Sequence, residues 1–225
     1  MSRTRRTRSN CLQRPMAWPD VSGVREVTKT MAKTEITRAD IMALADYEAI
    51  RKDQRRRMSV LKKNRRMEVG PFCTFYFESY DTMWHQVHEM LAIEKGGADQ
   101  IPDELAAYNP LIPQGKELVA TVMFEIDDEI RRKSVLNRLG GVEDTMFVEI
   151  GGQRIMSRAE TDADRTTAAG KASSVQFVHF DFTNAQIALF KQPGAQVLIG
   201  VAHENYGHIA VVPEATRAAL ASDFA

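Results

Sequence analysis

The chain has 225 residues, no net formal charge, 44% hydrophobic and 27% charged residues, a composition that supports a packed core and excludes wholesale disorder. No apolar run approaches the roughly 18 to 20 residues that span a bilayer, and the amino end lacks an apolar secretory stretch, so a membrane protein is excluded and the cytoplasm is the expected location. Two cysteines, Cys11 and Cys73, exclude a disulfide framework, a zinc ribbon or a cysteine-ligated iron–sulfur cluster built from this chain alone.

The zero net charge conceals an asymmetry. Residues 1–70 hold 18 of the 30 Lys and Arg but 8 of the 30 Asp and Glu, so one end is as basic as the other is acidic. Residues 1–30 are rich in Arg, Ser and Thr without hydrophobic periodicity and are expected to be a disordered basic extension, with Met31 as an alternative start. Residues 31–225 are expected to form a single domain.

From Thr37, a helix N-cap candidate, the sequence runs to Gly70 without Gly or Pro, which predicts a short helix and then a long one. Tyr47, Ile50, Gln54, Met58 and Leu61 share a stripe at three- and four-residue steps. Most of Arg51, Lys52, Arg55, Arg56, Lys62, Lys63 and Arg66 fall outside it, so the long helix is basic and amphipathic. Its cations Arg55, Arg56, Lys62, Lys63 and Arg66 are candidates for contact with an acidic partner or an anion.

"FCTFYFESY" predicts a strand, and "DTMWHQVHEMLAIEK" a helix begun by Asp81 or Thr82. At about 100° per residue, Met83, Trp84, Val87, Met90 and Leu91 share one arc, while His85, His88, Glu89 and Ala92 lie opposite. The histidines are therefore expected on a solvated or subunit-contact face. Their order matches neither the H-E-x-x-H of zinc proteases nor the E-x-x-H of di-iron bundles, which leaves a metal site as the weaker reading. Glu94 projects onto the apolar arc, where it needs Arg57, Arg65 or Arg66 as partner unless the last turn frays into solvent.

A short helix near 102–107, a strand over "KELVATVMFEI", a glycine-stopped helix over "DDEIRRKSVLNRLGG" and a hairpin around Gly151-Gly152 follow. Residues 158–174 are polar and small-residue-rich and are expected to be a mobile loop. Then come a strand ("VQFVHFDF"), a helix ("TNAQIALFKQ"), two strands joined by "ENYG", and a last helix begun by Pro213. Hairpins outnumber crossovers, which predicts an α+β fold with a largely antiparallel sheet of about six strands and helices packed on it.

Strand alternation places His179 and Asp181 on one face, and "HENYGH" brings His203 and His208 to the two sides of a turn, so these four are the candidate metal ligands for a metal-dependent enzyme. The basic helix also suits nucleic acid, but no helix-turn-helix, zinc finger or aromatic-plus-basic RNA signature accompanies it. Phosphate cradles and nucleophile elbows are missing, and no cofactor is indicated.

"KKNRRMEVGPFCTFYFES", "QVHEMLAIEK", "YNPLIPQGKELVATVMFEI" and "HENYGHIAVVPEATRAALASDF" together resemble a bacterial domain family of unknown function, over about residues 33–225. Members are often encoded beside rubrerythrin and a heterodisulfide-reductase-like iron–sulfur protein. The resemblance therefore implies an accessory role near peroxide defence or cytoplasmic electron transfer, with those proteins as partners. The residues most similar to the family pattern are Arg65, Arg66, Gly70, Pro71, Glu78, Gln86, Glu89, Glu94, Tyr108, Asn109, Pro110 and Glu125. It carries over no catalytic residue.

Overall fold

The structure is a computed structural model that describes residues 33–160 and 171–225. The basic extension over 1–30 and most of the loop expected to be mobile lie outside the described residues.

Helix α1 (Leu44–Lys63) follows a single 3-10 turn at Arg38–Asp40, where the Asp40 carboxylate accepts the backbone N–H of Thr37 at 2.9 Å. Uninterrupted by Gly or Pro, α1 carries Asp46 in its first turn and Lys62 and Lys63 in its last, as the helix dipole favours. Strands β1 (Arg66–Val69) and β2 (Cys73–Phe77) form a tight hairpin. Ser79, rather than Asp81 or Thr82, caps α2 (Tyr80–Glu94), through a reciprocal pair of bonds with Thr82. Lys95 takes the left-handed position at its end, one residue before the expected glycine stop.

Next come α3 (Ile101–Tyr108), β3 (Glu117–Phe124), α4 (Glu129–Leu136), β4 (Met146–Ile150), β5 (Gln153–Met156), β6 (Arg158–Ala159) and β7 (Val175–Asp181). The chain closes with α5 (Asn184–Phe190), β8 (Val197–His203), β9 (Tyr206–Val211) and α6 (Glu214–Leu220).

The α+β class and the antiparallel pairing stand, but the strands divide between two sheets. β1-β2-β3-β7-β6 form one and β5-β4-β8-β9 the other. The inward residues of the first, Phe75, Ala120, Val122 and Phe180 among them, join Val148, Ile150, Ile199 and Val201 of the second in one continuous core. The opposite face of the first sheet, including Val119 and Phe177, is covered by Met83 and Val87 of α2 together with Leu111 and Ile112. The order is therefore sheet, sheet, helices, with α1 outermost. Each large side chain buried in the core stabilises the fold by about 1.5–3 kcal/mol.

Two polar clamps join distant parts. The hydroxyl of Tyr206, on β9, donates to the carbonyl of Val69 at 2.8 Å and accepts the N–H groups of Phe72 and Cys73, both at 3.0 Å, which fastens the second sheet to the β1–β2 turn. Buried Arg65 donates to the carbonyls of Phe77 (3.0 Å) and Glu78 (2.7 Å) and forms a two-pronged pair with the carboxylate of Asp223. Burial pushes the Asp223 carboxyl upward, while the Arg65 charge pulls it back.

Candidate functional site

The first correction concerns α2. His85, His88 and Ala92 are buried, because α1 packs over the side that was expected to face solvent. His88 Nε2 accepts the N–H of Met42 at 3.0 Å, and its Nδ1 lies 2.7 Å from the carbonyl of Trp84. The ring must therefore be neutral with its proton on Nδ1, and burial lowers its pKa accordingly. Tyr47 donates its hydroxyl to Glu89 at 2.9 Å, so His85 Nδ1, 3.0 Å from the same oxygen, must be the donor there. Arg51 grips Glu89 with two bonds of 2.9 Å. The Arg51 bonds, aided by Tyr47, hold the Glu89 carboxyl down to about 2 against the opposing effect of burial. His85, His88 and Glu89 are thus the polar seam between two helices.

The four residues proposed as metal ligands do not come together. His179 lies on the outer face of the first sheet, between Glu117 (Nδ1 to Oε2, 3.0 Å) and Glu160 (Nε2 to Oε2, 2.9 Å). Asp181, two residues on, is held by Arg158 at 3.0 and 3.3 Å. His203 belongs to the other sheet and uses both ring nitrogens, one on the carbonyl of Gly140 and one on the N–H of Asn205. His208 packs its ring 4.5 Å from that of Tyr206. Strand alternation puts His179 and Asp181 on one face but does not say which sheet each strand joins, and the first sheet itself intervenes. Among the described residues no group of three or more His, Cys, Asp or Glu could hold a metal ion.

The family-pattern residues divide into two kinds. Several are structural: Arg65 in the Asp223 clamp, Glu89 in the helix seam, and Asn109, whose amide brackets the backbone of Ile36 at 2.8 and 2.9 Å. Glu94 sits on the last turn of α2, exposed, and accepts the amide of Gln100 at 2.7 Å, so it needs no arginine. Glu125 accepts the hydroxyls of Thr74 (2.6 Å) and Tyr76 (2.9 Å).

Glu78, Gln86 and Tyr108 instead line a cleft of about 420 Å³ between α2, α3 and the outer face of β2, β3 and β7. Glu78 is 6% exposed. Its two carboxylate oxygens each accept one hydroxyl, from Thr82 at 2.7 Å and Thr121 at 2.8 Å. The Gln86 amide and the Tyr108 hydroxyl stand 3.5 Å apart, too far for a strong bond. The cleft was not legible in the sequence; the available signal was Thr121, a hydroxyl within the apolar run 118–124 of β3.

The five cations singled out as a contact surface also divide. Arg55, Arg56 and Lys63 share the solvent face of α1 with Lys52, Ser59 and Val60, at helical steps of three and four; Val60 is 74% exposed. Arg56 reaches Asp53 at 3.3 Å, while Lys52, Arg55 and Lys63 form no ion pair among the described residues. Lys62 is half-buried at the cleft. Arg66 pairs with Glu68 at 3.0 Å and lies over the Tyr76 ring.

Residues 35–224 match the model of a family described as "Protein of unknown function (DUF3501)". The fold is similar to the crystal structure of a novel protein of unknown function from Burkholderia pseudomallei, with 35% sequence identity over 84% of this chain and 99% of that one, at a TM-score of 0.78. No curated protein matches the chain. No helix among the described residues is long and apolar enough to cross a membrane.

Proposed function

The chain belongs to the DUF3501 family of proteins of unknown function, and from that premise we propose that it is an accessory protein that docks, through the solvent face of α1, on an acidic surface of a redox partner. The observation that carries the reading is the strip formed by Lys52, Arg55, Arg56, Val60 and Lys63, in which three of four cations have no ion pair among the described residues and an apolar side chain stands in the middle. Unpaired cations around an apolar contact suit association with an acidic protein, where charge complementarity speeds encounter and selects the partner. The choice of rubrerythrin or the heterodisulfide-reductase-like iron–sulfur protein comes from the resemblance and from no contact in this molecule. The cytoplasm is part of the same reading.

Calorimetric titration of the full chain with each purified partner at low and high salt tests it. Binding to at least one is expected, weakening with salt and by about tenfold or more when Lys52, Arg55 and Lys63 are all changed to Glu. No binding at low salt, or equal affinity for duplex DNA with a linear fall in log K against log salt, would overturn the reading.

A further inference from the structure

Glu78 presents an electrostatic problem that the fold leaves unsolved. It is buried, yet no Lys, Arg or His among the described residues lies within ion-pairing distance of its carboxylate. The guanidinium of Arg65 donates to the Glu78 backbone carbonyl and spends its charge on Asp223. Two threonine hydroxyls orient the carboxylate but bring no opposite charge. A buried carboxylate without a counter-charge is costly, and the cost is offset by protonation, by a cationic partner or by a ligand that supplies the charge. This carboxylate lies in the wall of a cleft open to small molecules.

Other features of the cleft narrow the chemistry. Half-buried Lys62 lines it and forms no ion pair among the described residues. A plain anion would meet Glu78 and a plain polyamine would meet Lys62, so opposite charges on one small molecule fit where either alone does not. Met83, Leu111, Met123 and Phe177 supply an apolar wall, and the Gln86 amide and Tyr108 hydroxyl, joined to each other only at 3.5 Å, add polar contacts. The volume falls in the range of small-molecule sites.

We propose that this cleft binds a small zwitterion of the α-amino-acid class, its ammonium group on Glu78, its carboxylate toward Lys62 and an apolar side chain against Met83, Leu111, Met123 and Phe177. The ammonium carries three donors, and each Glu78 oxygen keeps acceptor capacity beyond its threonine bond. The site is separate from the docking strip on α1 and does not depend on it.

The test is calorimetric titration of the full chain with apolar and aromatic L-amino acids. Two comparison probes are isopentylamine, which lacks the carboxylate of leucine, and 4-methylpentanoate, which lacks the ammonium. Saturable one-to-one binding of at least one amino acid is expected, with both half-molecules weaker by about tenfold or more. Glu78→Gln, which keeps an acceptor for one threonine and turns an amide donor toward the oxygen of the other, should weaken binding by a similar factor, and so should Lys62→Met. Met123→Trp, a substitution that fills the cleft from a half-buried strand position, should abolish binding with the unfolding midpoint retained, and it serves as the decisive variant if Glu78→Gln does not fold. No saturable binding across the amino acids, a half-molecule binding as tightly as its parent, or undiminished binding by folded Met123→Trp would overturn the proposal.

Discussion

His179 shows what a single ring can do when both nitrogens face carboxylates. Burial works against its charge, but the bond and charge of Glu117 and the bond of Glu160 outweigh burial and the repulsion of Arg158, so its pKa is raised above the ordinary 6.5. A group whose pKa is raised on folding contributes stability that is full below the unfolded value and is lost as pH rises through the folded one. The chain should therefore lose stability as pH climbs from about 6.5 through the raised pKa. His179→Gln should remove that pH step, as read from denaturant midpoints across the range; equal pH slopes in the two proteins would show that the ring is not charged. At this scale the sequence was a partial guide. Alternation put His179 on one strand face with Asp181 but held no hint of Glu117 or Glu160, which are 62 and 19 residues away.

Among the elements, α2 and the β1–β2 turn mark the limits of periodicity. The helical projection separated Met83 and Val87 from His85 and His88 but put Trp84 on the far side from His88, against which its ring packs at 3.9 Å; a helix between a sheet and a second helix buries both sides, and neutral histidines can line the more polar one if each nitrogen is satisfied. The long basic α1 supplied that cover through Tyr47 and Met58, residues already visible as its stripe. β1 went unread because four residues alternating beside a charged helix end carry too little pattern. Its turn is nevertheless tightly specified. Gly70 has φ +70°, and a Cβ there would stand 2.5 Å from the His208 ring and 2.8 Å from the Tyr206 hydroxyl. Gly70→Ala combines a left-handed backbone penalty with a clash, and is expected to cost about 2 kcal/mol or more by chemical denaturation. A loss under about 0.5 kcal/mol, within the range of ordinary surface changes, would mean that the turn simply rearranges.

For the molecule as a whole, fold class was legible and assembly was not. Antiparallel hairpins follow from local turns, but alternation looks the same in either sheet. What sends β7 to β3, and β8 to β4, is pairing across long stretches of chain. The cleft escaped for the same reason, since Glu78, Thr121 and Tyr108 meet only when β3 docks beside β2 and under α3. Tyr206 is the most economical probe of how the sheets are tied. Tyr206→Phe deletes one hydroxyl that serves three backbone groups, and should destabilise the protein by about 2–3 kcal/mol without changing the denaturant slope, because the two sheets still share one core. A reduced slope would instead indicate that the sheets unfold separately.

The pairing of Arg65 with Asp223 spans 158 residues. A ribosome adding about 5–20 residues per second needs on the order of ten seconds to travel that distance. For that interval the nascent hairpin carries a guanidinium whose opposite number has not been made, so its final seat must stay wet. Closure of that corner therefore waits until Asp223 has been made.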